Sequence, residues 1–221
     1  MREEAKRRAA RAAVEQVPDG SVVGLGSGST AAHAIRALGD RIEEGAALVG
    51  VPTSYQAADV ARSVGVPVRA LADVSGVDVA IDGADQVAGA ALIKGGGGAH
   101  AREKVVDAAA EQLLIVVDET KVSAPLEMPV PIEILPDARP AVTDRLAGLG
   151  ATPTIRQEND RPFVTDNGNH VIDADFGTID RPASLATELA AIPGILEHGL
   201  FIDLADTVYV GHADGVDTLP E

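Results

Sequence analysis

The 221-residue sequence has no cysteine, so disulfides, thiolate nucleophiles and cysteine-ligated metals are excluded. The five histidines, at 33, 100, 170, 198 and 212, form no His-x-x-x-His pair, and no metal site is expected from them. No apolar stretch approaches the roughly 20 residues that cross a bilayer. Residues 1–11 are charged and alanine-rich, without the hydrophobic segment of a secretion signal, so a cytoplasmic protein with no membrane partner is expected. Positive charge is scarce. Lys and Arg total 18 against 34 Asp and Glu, the net charge is -16, and only four lysines occur, at 6, 94, 104 and 121. Such a surface supplies no basic face for a phosphate backbone, and nucleic acid is not an expected partner. It suits a salt-rich cytoplasm, where screening relieves self-repulsion; the plainer reading is an ordinary acidic protein.

What is present is a βαβ rhythm. With 46% hydrophobic residues the chain can bury one sizeable core, or a core plus a smaller module. A helix over 2–16 precedes short apolar strands at 21–25, 47–51, 66–71, 77–81 and 113–117, with helices after the first two. Alternation of buried strands and helices predicts a parallel sheet covered on both faces. Proline density rises from 125 to 140 and the rhythm changes. Strands at 130–135, 152–156, 163–165, 170–174 and 195–201, with helices at 140–149 and 182–191, give the order of a split, ferredoxin-like module. Residues 207–210 read as a strand returning to the first sheet. The expectation is an α/β chain: a Rossmann-like parallel-sheet domain over 1–128, completed by 204–221, and a smaller ferredoxin-like α+β domain over 129–203 that carries oligomer contacts.

Ligands of open α/β sheets bind outside the carboxyl ends of the strands, and the polar clusters follow those ends. Gly26-Ser27-Gly28-Ser29-Thr30-Ala31 has the form of a dinucleotide loop, but no acidic residue about 20 positions on awaits a ribose. Three hydroxyls in a glycine-bracketed loop point to a terminal phosphate, although one such residue alone would be an ordinary helix cap. No Gly-Lys-Ser/Thr follows, which excludes a nucleotide-hydrolysing P-loop.

Asp82-Gly83-Ala84-Asp85 follows an apolar strand. One aspartate there is explained by an Asx-turn or a cap; two, with Lys94 and Lys121 at the same sheet edge, suit sugar hydroxyls and proton transfer in ring opening. Magnesium would need further hard ligands that the sequence lacks at suitable spacing. Lys94 is followed by four glycines, Gly95 to Gly98, then by a helix-like run. Repeated glycine costs chain entropy, and a ligand oxygen approached by bare N–H groups explains it. Glu103 could be a first-turn glutamate favoured by the helix dipole, or a base beside groups that stabilise an enediolate. Nothing nearby supports Lys94 as a Schiff-base amine. Lys6 or Arg7 on the first helix could also reach the phosphate, although a solvated basic face is the plainer reading.

Taken in order, Gly-Ser-Gly-Ser-Thr, Asp-Gly-Ala-Asp, Lys-Gly-Gly-Gly, Arg-Glu-Lys and Asp-x-x-Lys resemble ribose-5-phosphate isomerase of the A type. The resemblance runs nearly the whole chain and includes Thr165-Asp166-Asn167-Gly168-Asn169 and Ala191-Ile192-Pro193-Gly194. Ser27 stands where the family often has threonine, and Gly98 where alanine is frequent. The resemblance implies a cofactor-free, metal-independent interconversion of ribose 5-phosphate and ribulose 5-phosphate through a cis-enediolate, in a homo-oligomer, dimer or tetramer. It implies Glu103 as the base moving the proton between C2 and C1. Ser27, Gly28, Ser29, Thr30, Asp82, Gly83, Ala84, Asp85, Lys94, Gly95, Gly96, Gly97 and Lys121 then contact substrate. Asp82 and Asp85 would assist ring opening, while Lys94 and the glycine amides would hold the enediolate. Two other readings use the same scaffold. A non-catalytic sugar-phosphate sensor would need an output module, and an amino-sugar-phosphate deaminase or acyl-CoA transferase would need a different catalytic set.

Overall fold

The computed structural model describes residues 2–219, which fold into two compact units. In chain order the first elements are α1 (Arg2–Val14), β1 (Val22–Leu25), α2 (Gly28–Glu43), β2 (Val49–Pro52), α3 (Tyr55–Ser63) and β3 (Val77–Asp82). Next come β4 (Gln86–Ala88), β5 (Ala91–Ile93), α4 (His100–Ala109) and β6 (Ala110–Asp118). Then follow β7 (Val130–Ile134), α5 (Arg139–Gly148), β8 (Thr152–Ile155), β9 (Gln157–Glu158), β10 (Arg161–Pro162), β11 (His170–Asp175) and α6 (Pro182–Ala190). The chain closes with β12 (Ile195–His198), β13 (Leu200–Ile202), β14 (Thr207–Gly211) and β15 (Val216–Leu219).

The larger unit comprises Met1–Ala84, Arg102–Val122 and Leu204–Glu221. Its six-stranded sheet has the order β15-β14-β6-β3-β1-β2, parallel except for β15. The strands are near-continuous apolar runs because both faces are covered. On one face Val23, Leu25, Ile81, Leu114 and Val116 pack with Ile35 and Leu38 of α2 and with Ala9, Ala10 and Ala13 of α1. Small side chains let α1 lie close to the sheet. On another patch Val106 of α4 packs with Val51 and Val77. Each fully buried Val, Leu or Ile contributes roughly 1.5–3 kcal/mol, so these clusters fix where the strand ends lie.

The smaller unit comprises Asp85–Ala101 and Ser123–Asp203. Its four-stranded antiparallel sheet runs β12-β7-β11-β8 in the expected βαββαβ connectivity. Ile132, Ile134 and Ile172 pack with Val142 and Leu146 of α5 and Leu189 of α6. The opposite-facing residues of β7 and β11 include Glu133 and Asp173, as the two-residue period of a strand requires. A three-stranded sheet, β13-β5-β4, and the hairpin β9-β10 complete it. That hairpin turns at Asn159 and Asp160, whose φ of 51° and 61° suit a tight two-residue loop.

Four local expectations are corrected. Residues 66–71 form no strand: a single bridge, Gly50 to Val68, precedes a 3-10 turn at Leu71–Asp73. Residues 163–165 contribute one bridge, Val164 to His170. The run 195–201 is two strands in different sheets, broken at Gly199, where a side chain would collide with the Lys94 carbonyl. Residues 85–101 and 123–128 pack with the smaller unit, because β5 pairs with β13 and Leu126 enters that unit's core.

Candidate active site

In the larger unit the carboxyl ends of the parallel strands stand in register: Leu25 pairs with Ile81 and Pro52, and Asp82 with Ile115. The segments that follow are therefore neighbours. Asp82 is fully buried, and its Oδ1 accepts from Ser27 N at 3.2 Å and Gly83 N at 2.7 Å. Gly26 must be glycine, since a Cβ there would overlap the Asp82 carboxylate. A Cβ on Gly83 would come 4.0 Å from that of Thr30, which brings the aspartate turn against the start of α2. The Ser27 hydroxyl does not cap α2. It lies 2.9 Å from Thr53 Oγ1 and donates to Ser54 Oγ at 2.6 Å, and Ser54 itself caps α3 through Ala57 N. The Ser27 side chain thus leaves the first amides of α2 uncapped, and Gly28 N makes only a long contact of 3.4 Å to Gln56 Oε1, so this helix start can take an anion.

Lys6 of α1 reaches this helix start. Its Nζ donates to Ser29 Oγ at 3.0 Å and to Glu3 at 2.7 Å, with the side chain 11% exposed. Hydrogen bonds from Lys6 and His33 hold the Glu3 carboxyl below its ordinary range. After β6, Lys121 ends a 3-10 turn, Glu119–Lys121, capped by Asp118 through Thr120 N. Burial raises the Asp118 pKa, but hydrogen bonds from Thr120 and Arg2 outweigh it and leave the carboxyl below its usual value. Because β6 runs parallel to β3, α4 runs back across the sheet and opens at the carboxyl edge. Glu103 occupies its first turn, 5% exposed, one turn from Val106 on the sheet-facing side.

In the smaller unit Lys94 directly follows β5. It is 2% exposed, its N–H donates to Gly199 O at 2.9 Å, and its Nζ lies 5.1 Å from the Phe201 ring centroid. Asp85 donates its N–H to Ile93 O at 2.8 Å and accepts from Gly96 N at 2.7 Å through Oδ2. The glycine run departs from the expectation that ligand approach alone demands bare backbone. Gly95 and Gly98 have φ of +104° and +74°. Side chains at 95, 96 and 98 would meet His100, Asp85 and Phe163. Only the Cβ side of Gly97 is open. Of the four amides, those of Gly96 and Gly98 are already used, by Asp85 and by Gly95 O.

The family model described as ribose 5-phosphate isomerase A (phosphoriboisomerase A) matches residues 49–215. The chain belongs to this family. It is 58% identical over 214 residues to ribose-5-phosphate isomerase A of Natronomonas pharaonis, covering 96% of this chain and 95% of that protein. The Haloarcula marismortui isomerase is 56% identical, covering 96% and 93%. Among solved structures, a D-ribose-5-phosphate isomerase in complex with phospho-erythronic acid superposes with a TM-score of 0.97 at 42% identity over 100% of both chains. The enzyme of Methanocaldococcus jannaschii gives 0.95 at 43% identity over 99% of both.

For this member of the isomerase A family, the larger unit holds Ser27, Gly28, Ser29, Thr30, Asp82, Gly83, Ala84, Glu103 and Lys121, and the smaller holds Asp85, Lys94, Gly95, Gly96 and Gly97. Lys6 is one of the two first-helix residues for which reach to the phosphate is the alternative to a solvated face, and the packing of α1 against α2 brings it to Ser29. Two features escaped the sequence. Arg156 donates to the carbonyls of Gly95 and Gly96, a contact between segments about 60 residues apart. Glu133, fully buried, gathers Thr165, Asn167 and Asn169 on Oε1 at 2.8–3.0 Å; the Thr165-to-Asn169 motif was visible, its buried partner was not. Among the described residues no three His, Asp or Glu side chains are grouped to hold a metal ion, and no helix is long and apolar enough to cross a membrane.

Proposed function

We infer that this protein is an aldose-ketose isomerase that interconverts D-ribose 5-phosphate and D-ribulose 5-phosphate. The observation that carries this is the full-length likeness, at a TM-score of 0.97, to a D-ribose-5-phosphate isomerase complexed with phospho-erythronic acid, a sugar-acid phosphate. The residue chemistry supports it. The start of α2, which Ser27 does not cap, with Gly28, Ser29 and Thr30 and with Lys6 beside Ser29, suits a phosphate dianion. Asp82 and Asp85 each have one carboxylate oxygen tied to backbone N–H, which holds both side chains in place and suits a role in ring opening.

In the open-chain aldose Glu103 removes the proton from C2. The C–H electron pair forms the C1=C2 bond, and the former carbonyl electrons move onto O1. Lys94 and the glycine-loop amides hold that negative oxygen, and Lys121 adds positive charge. Glu103 returns its proton to C1 while O2 loses a proton and O1 gains one, which leaves a ketone at C2. No metal ion or cofactor enters these steps. A sensor would not require a base buried at the sheet edge.

We further propose a cytoplasmic homo-oligomer, dimer or tetramer, with the smaller unit supplying subunit contacts and with neither nucleic acid nor membrane as partner. The acidic composition accords with relatives from the haloarchaea. Incubating the purified protein with ribose 5-phosphate and following ketose formation tests the activity; ketose accumulates to a fixed aldose-ketose ratio, and an inert preparation overturns the assignment.

A further inference from the structure

Arg156, in the segment after β8, is almost wholly committed to the backbone of the glycine loop and to one carboxylate. Its Nη1 donates to Gly95 O at 2.9 Å and to Gly96 O at 3.0 Å. Its Nε donates to Asp173 Oδ2 at 3.0 Å, and Nη2 pairs with Asp173 Oδ1. Four of the five guanidinium N–H bonds are thereby used, and the side chain is only 16% exposed. The Phe163 ring lies 5.8 Å from the guanidinium and packs against Gly98. Arg156 is thus no free surface cation available to bind a ligand.

The consequence follows from peptide geometry. A trans peptide directs its C=O and N–H to opposite sides. The Gly95–Gly96 peptide is clamped at both ends, its carbonyl by Arg156 and its amide by Asp85. The Gly96–Gly97 peptide is held at its carbonyl alone, so the same guanidinium fixes the direction of the Gly97 N–H, away from Arg156. Gly97 is exposed and is the one glycine of the run with open space on its Cβ side. A carbonyl that accepts from a cation also strengthens the donor at the other end of its peptide.

We propose that Arg156, braced by Asp173, is a positioning residue that fixes the Gly96–Gly97 peptide and presents the Gly97 N–H to the oxyanion of the enediolate. This rests on the isomerase reading above and deepens it. Arg156 acts through the loop and contacts no substrate, so its loss weakens the hold on the reacting oxygens while leaving the phosphate anchor intact.

The test compares wild type, Arg156→Met, Asp173→Asn and the double variant, with kcat and KM for ribose 5-phosphate and with affinities for phospho-erythronic acid and inorganic phosphate. Arg156→Met lowers kcat about 30- to 100-fold with KM within about threefold, because an oriented oxyanion donor is lost. Phospho-erythronic acid binding weakens by a similar factor, and inorganic phosphate binding stays within about twofold. Asp173→Asn moves the same quantities less, and the double variant is no worse than Arg156→Met, as expected of residues acting as a unit. If Arg156→Met does not fold, Arg156→Lys, which keeps the charge but loses the fork, lowers kcat about tenfold at unchanged KM. A kcat within threefold of wild type in the folded Arg156→Met protein, or in Arg156→Lys where Met does not fold, overturns the proposal. So does equal weakening of both ligands. A wild-type protein inert toward ribose 5-phosphate overturns the isomerase reading itself; an active wild type with an indifferent Arg156→Met overturns this inference alone.

Discussion

Lys6 and Ser29 are joined by a hydrogen bond of 3.0 Å between the first two helices. An ammonium is thereby fixed at the helix start that suits the phosphate. Lys6→Met is expected to raise KM about 10- to 100-fold, the loss of a charge-assisted hydrogen bond of roughly 1.5–3 kcal/mol, with kcat changed much less. Steady-state kinetics and inorganic phosphate binding measure it; an unchanged KM removes Lys6 from the phosphate site.

Glu103→Gln keeps the size of the side chain and removes its basicity. The expected loss in kcat is at least about 10²-fold, the usual contribution of a positioned general base, while phospho-erythronic acid still binds. Turnover within tenfold of wild type would assign the proton transfer to another group.

Asp118 links stability to acid. Its carboxyl is held below the ordinary value of 3.8 in the folded state, so its contribution is complete above that value and is lost as pH falls through the depressed folded value. Urea unfolding at successive pH values below about 4 should show wild type losing stability more steeply than Asp118→Asn. Arg2, with its side chain 56% exposed, contributes little: Arg2→Ala is expected to cost about 0.5 kcal/mol.

A net charge of -16 makes the folded state self-repelling in dilute buffer. Raising KCl from about 0.05 M to about 2 M is expected to raise Tm by about 5 °C or more, on the order of 2 kcal/mol. Thermal melts at a series of salt concentrations measure it, and a flat series would show an acidic surface without a salt requirement.

The parallel sheet was legible because β1, β3 and β6 are apolar runs bounded by turn residues, and the polar clusters at their carboxyl ends follow from that topology. The βαββαβ order of the smaller unit was legible for the same reason. The hairpin β4-β5 was not, since three-residue strands carry too little periodicity to register. Missing it misplaced residues 85–101, whose pairing partner β13 lies about a hundred residues downstream. The glycine run reads as room for a ligand oxygen to approach bare backbone, whereas its neighbours His100, Phe163 and Asp85 show that protein atoms demand most of that room. Spacing along a chain gives no sign that Arg156 and Asp173 will converge on those carbonyls.

The sheet of the larger unit takes in β14 between β6 and β15, and Gly211 of β14 lies against the backbone of Ala5 in α1. The helix α1 also packs on α2 and β6, but this part of its docking surface exists only once β14, about 200 residues downstream, has been translated. The segments of the smaller unit are all translated by residue 203 and can close sooner. A nascent chain halted before β14 would carry a finished minor module and an incomplete major one, with the edge of β6 left unpaired.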